Sequence, residues 1–277
     1  MIIKMRILLT ILGILISISS FTQELDKSEI VPFRSRKNGK VGYMNENNEI
    51  IVEPQYTSGT YFNNKKYATV SIGNDSLERF AVIDLKGNYF IGFDEGYEHI
   101  GLNYTFENWI LISKVGKYGY MNEEKEILIP LEYEQLGGFF GQLAFAEKDN
   151  KYGYIDSVNR ILIGFQFDKA SNFGNLQPDG FRYAMVEKDH KTGYINNNGE
   201  LVISFLYEEA YSFHNGLAVV KKDEKFGCVN TKGAVVIPFV FDHITNSGEI
   251  IKARKELTSS KEFYFDRQGT LIGTSTN

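Results

Sequence analysis

The sequence predicts an all-β protein, a repeat array of about seven β-hairpin-based units. Three observations predict it. A short segment ending in Asn or Asp recurs along the chain, a β-branched run follows each copy, and 277 residues with 43% hydrophobic and 14% aromatic content supply a sizeable core that a disordered chain lacks.

In chain order, Lys4 and Arg6 precede an apolar run over 7–18, broken only by Thr10, Gly13 and Ser17, and then Ser19, Ser20, Phe21, Thr22 and Gln23. Basic, apolar and small residues in that order mark a secretory signal peptide, expected over 1–22, and the run is shorter than the roughly 20 residues a helix needs to cross a bilayer. A short segment over 23–30, a repeat domain over 31–273 and a tail over 274–277 are expected to follow. The mature chain is expected to be exported, to the periplasm, cell surface or extracellular space, with no integral membrane span. The whole chain carries 30 basic and 35 acidic residues for a net charge of −5; without Lys4 and Arg6 the balance is 28 to 35, or −7. No basic field is left to attract nucleic acid. Cys228 is the single cysteine, so no intramolecular disulfide forms, no lipid-modified N-terminus is expected, and stability rests on packing. Its place in the repeat marks it as a buried, inert thiol.

The recurring segments are VGYMN at 41–45, FAVID at 80–84, YGYMN at 118–122, YGYID at 152–156, TGYIN at 192–196, FGCVN at 226–230 and FYFD at 263–266. They end on Asn45, Asp84, Asn122, Asp156, Asn196, Asn230 and Asp266, separated by 39, 38, 34, 40, 34 and 36 residues. A period of about 37 fits an array of supersecondary units. β-Branched runs such as EILIP at 126–130 and AVVIP at 234–238 follow, so each unit begins as a hairpin. Its turn is expected to start with the Asn or Asp side chain accepting a backbone hydrogen bond from two residues on, and to hold Gly87, Gly199, Gly233, Gly269 or their counterparts Asn48, Lys125 and Asn159 in the left-handed region. Lys125 fits that position least well.

A third segment follows, an aromatic and acidic pair leading to a β-rich strand, as in Tyr133-Glu134 to LAFAEK at 143–148 and Tyr207-Glu208 to LAVVKK at 217–222. VPFRSRK at 31–37 looks like that strand without its hairpin, so the array is expected to start mid-unit. Gly42, Gly119, Gly153, Gly193 and Gly227 lie inside strands, where a missing side chain weakens the strand unless backbone or a ring fills the gap. Tyr43, Tyr120, Tyr154 and Tyr194 come next in sequence, and stacked rings are expected to fill it, unit upon unit.

These residues resemble the bacterial WG repeat, with its Lys-Trp/Tyr-Gly-aromatic-Ile-Asp segment, turn Gly, Val-Ile-Pro strand, aromatic-Asp pair and Phe-x-x-Gly-Leu-Ala-x-Val strand. KYGYID at 151–156 and KTGYINNNGELVISFLYEEAYSFHNGLAVVKK at 191–222 follow it, and the likeness spans 31–273. Trp at the name position is replaced by Tyr, Phe, Val or Thr, and Ala81 and Phe263 stand where the glycine belongs. The resemblance implies a repeat-built binding or scaffolding protein. Three clear strands per unit point to an open superhelix or solenoid, with a closed seven-bladed propeller-like ring as the alternative.

No catalytic constellation, cofactor motif or metal-ligand spacing occurs, so the expectation is a non-enzymatic protein without cofactor, catalytic residues or metal. His99, His190, His214 and His243 are scattered in repeat position, and the acidic pairs Asp94-Glu95, Glu123-Glu124 and Glu208-Glu209 lack a calcium-loop ladder. Trp109, Tyr97, Tyr104 and Phe106 stand out as the aromatic cluster outside the regular pattern and are the candidate binding residues. A protein or peptide partner is expected, with a glycan-binding envelope protein as the alternative and a hydrolase behind both.

Overall fold

A computed structural model describes residues 29–63, 66–73, 78–102, 109–246, 248–256 and 260–275. The expected signal peptide, together with Tyr104 and Phe106, lies outside these residues. The chain forms two compact bodies, one up to Gly92 and one from Phe93 onward.

Among the described residues there are seven antiparallel meander sheets, none closed into a barrel. In the N-terminal body the first sheet pairs Val31–Arg34, Val41–Met44 and Ile50–Tyr56, and the second pairs Ser58–Gly59, Tyr67–Ile72, Arg79–Asp84 and Tyr89–Ile91. In the C-terminal body the third sheet holds His99–Leu102, Ile110–Lys114, Lys117–Met121 and Ile127–Tyr133. The fourth holds Gln135–Leu136, Leu143–Lys148, Lys151–Asp156 and Ile161–Phe167; the fifth, Lys169–Ala170, Tyr183–Lys188, Lys191–Asn196 and Leu201–Tyr207. The sixth holds Glu209–Ala210, Leu217–Lys222, Lys225–Asn230 and Val235–Phe241; the seventh, His243–Thr245, Ile251–Arg254, Glu262–Phe265 and Leu271–Ser275. A 3-10 turn at Phe93–Glu95 precedes the third sheet.

Two expectations change here. The third segment does not complete the hairpin before it; it pairs with the hairpin after it, so Leu143 to Lys148 lie opposite Asp156 to Lys151, and Val31 lies opposite Met44. VPFR therefore has its hairpin. Each later sheet also has four strands rather than three, because two to four residues beyond the acidic position pair as a short opening strand. The opening strand is too short to carry a periodic signal.

The hairpin turns follow the expected chemistry. Asn45 Oδ1 accepts from the amides of Asn47 and Glu49, both at 3.0 Å, and the same pair of bonds recurs at Asp84, Asp156, Asn196, Asn230 and Asp266. Asn48, Lys125 and Asn159 hold φ of 60°, 63° and 62°, and Lys125 keeps the strand register of its neighbours while pairing with Glu95 at 2.8 Å. A further rule appears four residues past the anchor. Three of the four Asn anchors donate through Nδ2 to a glutamate, Asn45 to Glu49, Asn122 to Glu126 and Asn196 to Glu200, while Asn230 has Ala234 there; where the anchor is Asp156 or Asp84 the partner is a donor, Arg160 or Asn88. Asn196→Asp would set two carboxylates face to face and is expected to destabilise by about 0.5–1 kcal/mol, with Glu200→Arg restoring the loss. A double-mutant cycle by urea unfolding measures that coupling.

The in-strand glycines answer to backbone first. A Cβ on Gly42, Gly119, Gly153, Gly193 or Gly227 would lie 2.5–2.6 Å from a carbonyl oxygen of the closing strand, with a phenylalanine ring edge also near at Gly153 and Gly227. Stacked rings were expected in that gap; a wide bulge fills it. One residue of the third strand faces three of the closing strand, as Gly153 lies between the pairs Tyr152↔Phe167 and Tyr154↔Ile163. Pro54, Pro130 and Pro238 sit in such bulges, where no ladder amide is needed. The two sheets without the glycine show the converse. Phe263 pairs with Thr274 in unbroken register, and beside Ala81 the closing strand is only Tyr89–Ile91.

In the C-terminal body four hydrophobic clusters run from sheet to sheet. Tyr120, Ile129 and Tyr133 of the third sheet pack on Phe139, Ala144, Ala146 and Ile155 of the fourth, and the same faces meet between fourth and fifth, fifth and sixth, and sixth and seventh sheets. The recurrent Ala144, Ala184 and Ala218 are fully buried at these faces. No single sheet buries its own rings.

Candidate functional site

The residues that repeat most faithfully join one sheet to the next. The buried hydroxyls of Tyr43, Tyr120, Tyr154 and Tyr194 donate to the carbonyls of Thr60, Gly137, Ser171 and Tyr211, each 17 residues on, at 2.9, 3.0, 2.8 and 2.7 Å. Their rings meet Phe62, Phe139, Phe173 and Phe213 with centroids 5.1, 5.6, 5.0 and 4.8 Å apart. Burial pushes the hydroxyls of Tyr43, Tyr154 and Tyr194 well above the usual tyrosine range, so these groups stay protonated donors. A second row of rings links closing strands, Tyr133 to Phe165, Phe167 to Phe205 and Tyr207 to Phe239.

Acidic members of the aromatic-acidic pairs reach a lysine, and Asp168 and Glu208 have a second task. Lys117, Lys151, Lys191 and Lys225 reach Glu134, Asp168, Glu208 and Asp242 of the following sheet, the last three at 2.5, 3.5 and 2.5 Å. Two of these carboxylates also receive amides of the two-residue turn joining the second and third strands: Asp189 donates to Asp168, while Asp223 and Glu224 donate to Glu208. Those turns place non-glycine residues at positive φ, Asp189 at 52° and His190 at 60°, a conformation that costs about 1–2 kcal/mol per residue and that the carboxylate cap offsets. The Lys151 ammonium and the Asp189 amide hold the Asp168 carboxyl below the usual range, and amides with Lys191 do the same for Glu208. Because their folded pKa values lie below the unfolded ones, the stabilisation is complete above the ordinary carboxylate range and is lost as pH falls through the folded values. The melting temperature is expected to drop below about pH 4, and Asp168→Asn to flatten that drop.

The expected binding cluster resolves differently. Trp109 takes the packing position of Leu143, Tyr183 and Leu217 in later sheets, its ring 5.6 Å from Tyr120 and 5.3 Å from Phe139. Tyr97, 5.9 Å under the Lys114 ammonium, heads an aromatic-acidic pair in which Glu98 accepts the Gly116 amide at 2.8 Å. Both lie within the regular pattern rather than outside it. Cys228 is fully buried, and burial pushes its thiol up to about 12. Among the described residues no group of three His, Cys, Asp or Glu side chains is placed to hold a metal ion, and no helix is long and apolar enough to cross a membrane.

A surface row escaped the reading of the sequence. Five residues past each anchor, on the closing strand at the outer edge of its sheet, Ile127, Ile161, Leu201, Val235 and Leu271 of the C-terminal body are 48–56% exposed. Ile50 and Tyr89 occupy that position in the N-terminal body. The β-branched run is plain in the sequence, but its outward face depends on bulges that reset the alternation.

Meander sheets joined by buried tyrosines and bridging carboxylates define a tandem β-repeat protein. The family model of the WG containing repeat matches five segments, 42–74, 118–152, 152–191, 193–226 and 226–249, more than half of the chain, and the chain belongs to that family. The matches leave out the hairpins carrying Ala81 and Phe263, the sheets without the wide bulge. No curated protein matches. Among solved structures, a eukaryotic initiation factor is 11% identical over 90% of this chain and 84% of its own, with a TM-score of 0.45. The dihydro-heme d1 dehydrogenase NirN is 11% identical over 89% and 63%, at 0.44, and the WD40 domain of fission yeast SCAP is 9% identical over 76% and 66%, at 0.38. Likenesses this distant carry no argument about function.

Proposed function

We propose that the chain is an exported, non-enzymatic repeat protein of the cell envelope that binds a protein or peptide partner along the closing strands of its sheets. The observation that carries this reading is the row of half-exposed aliphatic side chains at one register position of consecutive sheets. An isolated surface leucine needs no explanation, whereas a repeated apolar row on outer strands suits an extended partner that lies across several sheets or adds a strand to an edge. The recurrent rings Tyr120, Tyr154, Tyr194, Phe139, Phe173 and Phe213 are committed to the core, which leaves fewer flat rings for a sugar face and favours a polypeptide over a glycan. Export rests on the pattern around Lys4 and Arg6 and the apolar run that follows.

The test compares wild-type protein with a Leu201→Glu/Val235→Glu variant as bait in envelope extract. The expected result is a protein retained at least tenfold better by the wild type, at equal melting temperatures. Recovery of polysaccharide alone, or equal retention by both baits, would overturn the protein-binding reading. N-terminal sequencing of the mature chain tests the processing step, with a start between residues 20 and 24 expected.

A further inference from the structure

The first sheet carries a charge that later sheets neutralise. Residues 30–45 hold Arg34, Arg36, Lys37 and Lys40 and no acidic residue, in a chain whose net charge is −5. Lys117, Lys151, Lys191 and Lys225 each reach an acid of the following sheet, Glu134, Asp168, Glu208 or Asp242. Lys40 is their counterpart in the first sheet, and the counterpart of those acids is Thr57. Lys40 Nζ therefore donates to a neutral hydroxyl, Thr57 Oγ1, at 3.5 Å, while the Arg34 guanidinium donates to the carbonyl oxygens of Gly39 and Thr57. The turn is longer as well. Asp149-Asn150 and Asp189-His190 join their strands in two residues, whereas Arg36 to Gly39 fill the span between the hydrogen-bonded Ser35 and Lys40. Arg36 and Lys37 are exposed on that loop, and among the described residues the side-chain bonds of the four cations go only to neutral oxygens. Nothing lies within 4 Å of a Cβ built on Gly39, so the loop projects as a tip.

We propose that this hairpin tip binds the phosphate groups of an anionic lipid surface. Guanidinium forks on Arg34 and Arg36 match phosphate oxygens, and Lys37 and Lys40 add mobile point charges. A projecting tip suits a flat surface better than it encloses a small ion. The sign of the whole chain selects further: a long dissolved polyanion would lie along an acidic molecule and be repelled, whereas a bilayer touched at the tip alone leaves most of that charge beyond the roughly 8 Å over which exposed charges act at physiological ionic strength. Each basic residue near an anionic bilayer strengthens binding about fivefold, so four of them give a reversible association governed by salt. The tip is separate from the row of closing-strand side chains, and neither reading depends on the other.

The test is cosedimentation of the purified protein, in the form the cell makes it, with vesicles of phosphatidylglycerol and phosphatidylcholine in equal parts or of phosphatidylcholine alone. The expected result is binding to the anionic vesicles tighter by about tenfold or more, abolished when salt is raised from about 0.1 to 1 M. Arg36→Gln/Lys37→Gln removes two exposed cations with no side-chain bond to lose, and is expected to weaken binding about 25-fold at an unchanged melting temperature. Lys188→Gln/Lys222→Gln removes the same charge from exposed positions on the fifth and sixth sheets and is expected to leave binding as it was. Equal binding to both kinds of vesicle, wild-type binding by the tip variant, or an equal loss in the two variants would overturn the proposal. Displacement from the vesicles by an excess of inorganic phosphate at constant ionic strength would overturn it too, because the tip would then be a site for free phosphate.

Discussion

Tyr154→Ala is expected to cost about 3–5 kcal/mol, the range for removing a fully buried aromatic side chain. The ring lies between the fourth and fifth sheets among Phe167, Phe173, Ala184 and Val186, 5.0 Å from Phe173, and its hydroxyl is the donor to Ser171. Tyr154→Phe separates the two contributions: it keeps the ring, strands the Ser171 carbonyl, and is expected to cost about 1–3 kcal/mol. Because the contact joins two sheets, amide exchange is expected to speed up in the fourth and fifth sheets together while the seventh keeps its protection. Urea unfolding with exchange measured by mass spectrometry reads both. A loss of protection confined to the fourth sheet would contradict a shared interior.

Gly193→Ala ranks second. The added methyl would sit 2.5 Å from the Ile203 carbonyl oxygen and 3.0 Å from the Ser204 carbonyl carbon, so the closing strand must withdraw its bulge. Overpacking of this kind costs about 1–3 kcal/mol. Gly164→Ala is the control: it lies on a closing strand with nothing within 4 Å of the added carbon, and removing a glycine there is expected to be neutral or stabilising by up to about 1 kcal/mol. Equal midpoints for the two variants in urea would refute the close backbone approach. Phe263 and Ala81 show what a side chain at this position brings, a straight pairing or a truncated strand.

Features that depend on neighbours in sequence were legible before the structure. The turn anchors, the left-handed residues after them and the equivalence of Tyr120, Tyr154 and Tyr194 all emerge from short segments aligned on one Asn or Asp, because local hydrogen bonding and one recurring contact dictate them. Features that depend on distant partners were not. Two-residue opening strands such as Gln135–Leu136 leave no periodic trace, so the sequence alone ties the third segment to the hairpin before it. The link from Lys151 to Asp168 spans 17 residues, and its signal, a lysine and an acid at constant offset, shows only after the sheets are superimposed. Turns such as Asp189-His190 lack the glycine that usually announces their backbone, since a carboxylate from elsewhere caps them. Trp109 and Tyr97 looked irregular because the segment between the second and third anchors carries extra residues, which displaced two ordinary packing positions from the alignment.

The constant offsets have a consequence for how such a chain can change length. From Tyr120, Tyr154 and Tyr194 the carbonyl contact falls 17 residues later and the ring contact 19. Beyond the ring contact the counts diverge: 15 residues separate Phe139 from Tyr154 and 21 separate Phe173 from Tyr194. The extra residues lie around Gln177, whose side chain reaches the Phe213 carbonyl and the Gly216 amide one sheet on. From the third sheet to the sixth, insertions are thereby channelled to one slot per repeat, where each copy can acquire its own decoration while the joints between copies stay interchangeable.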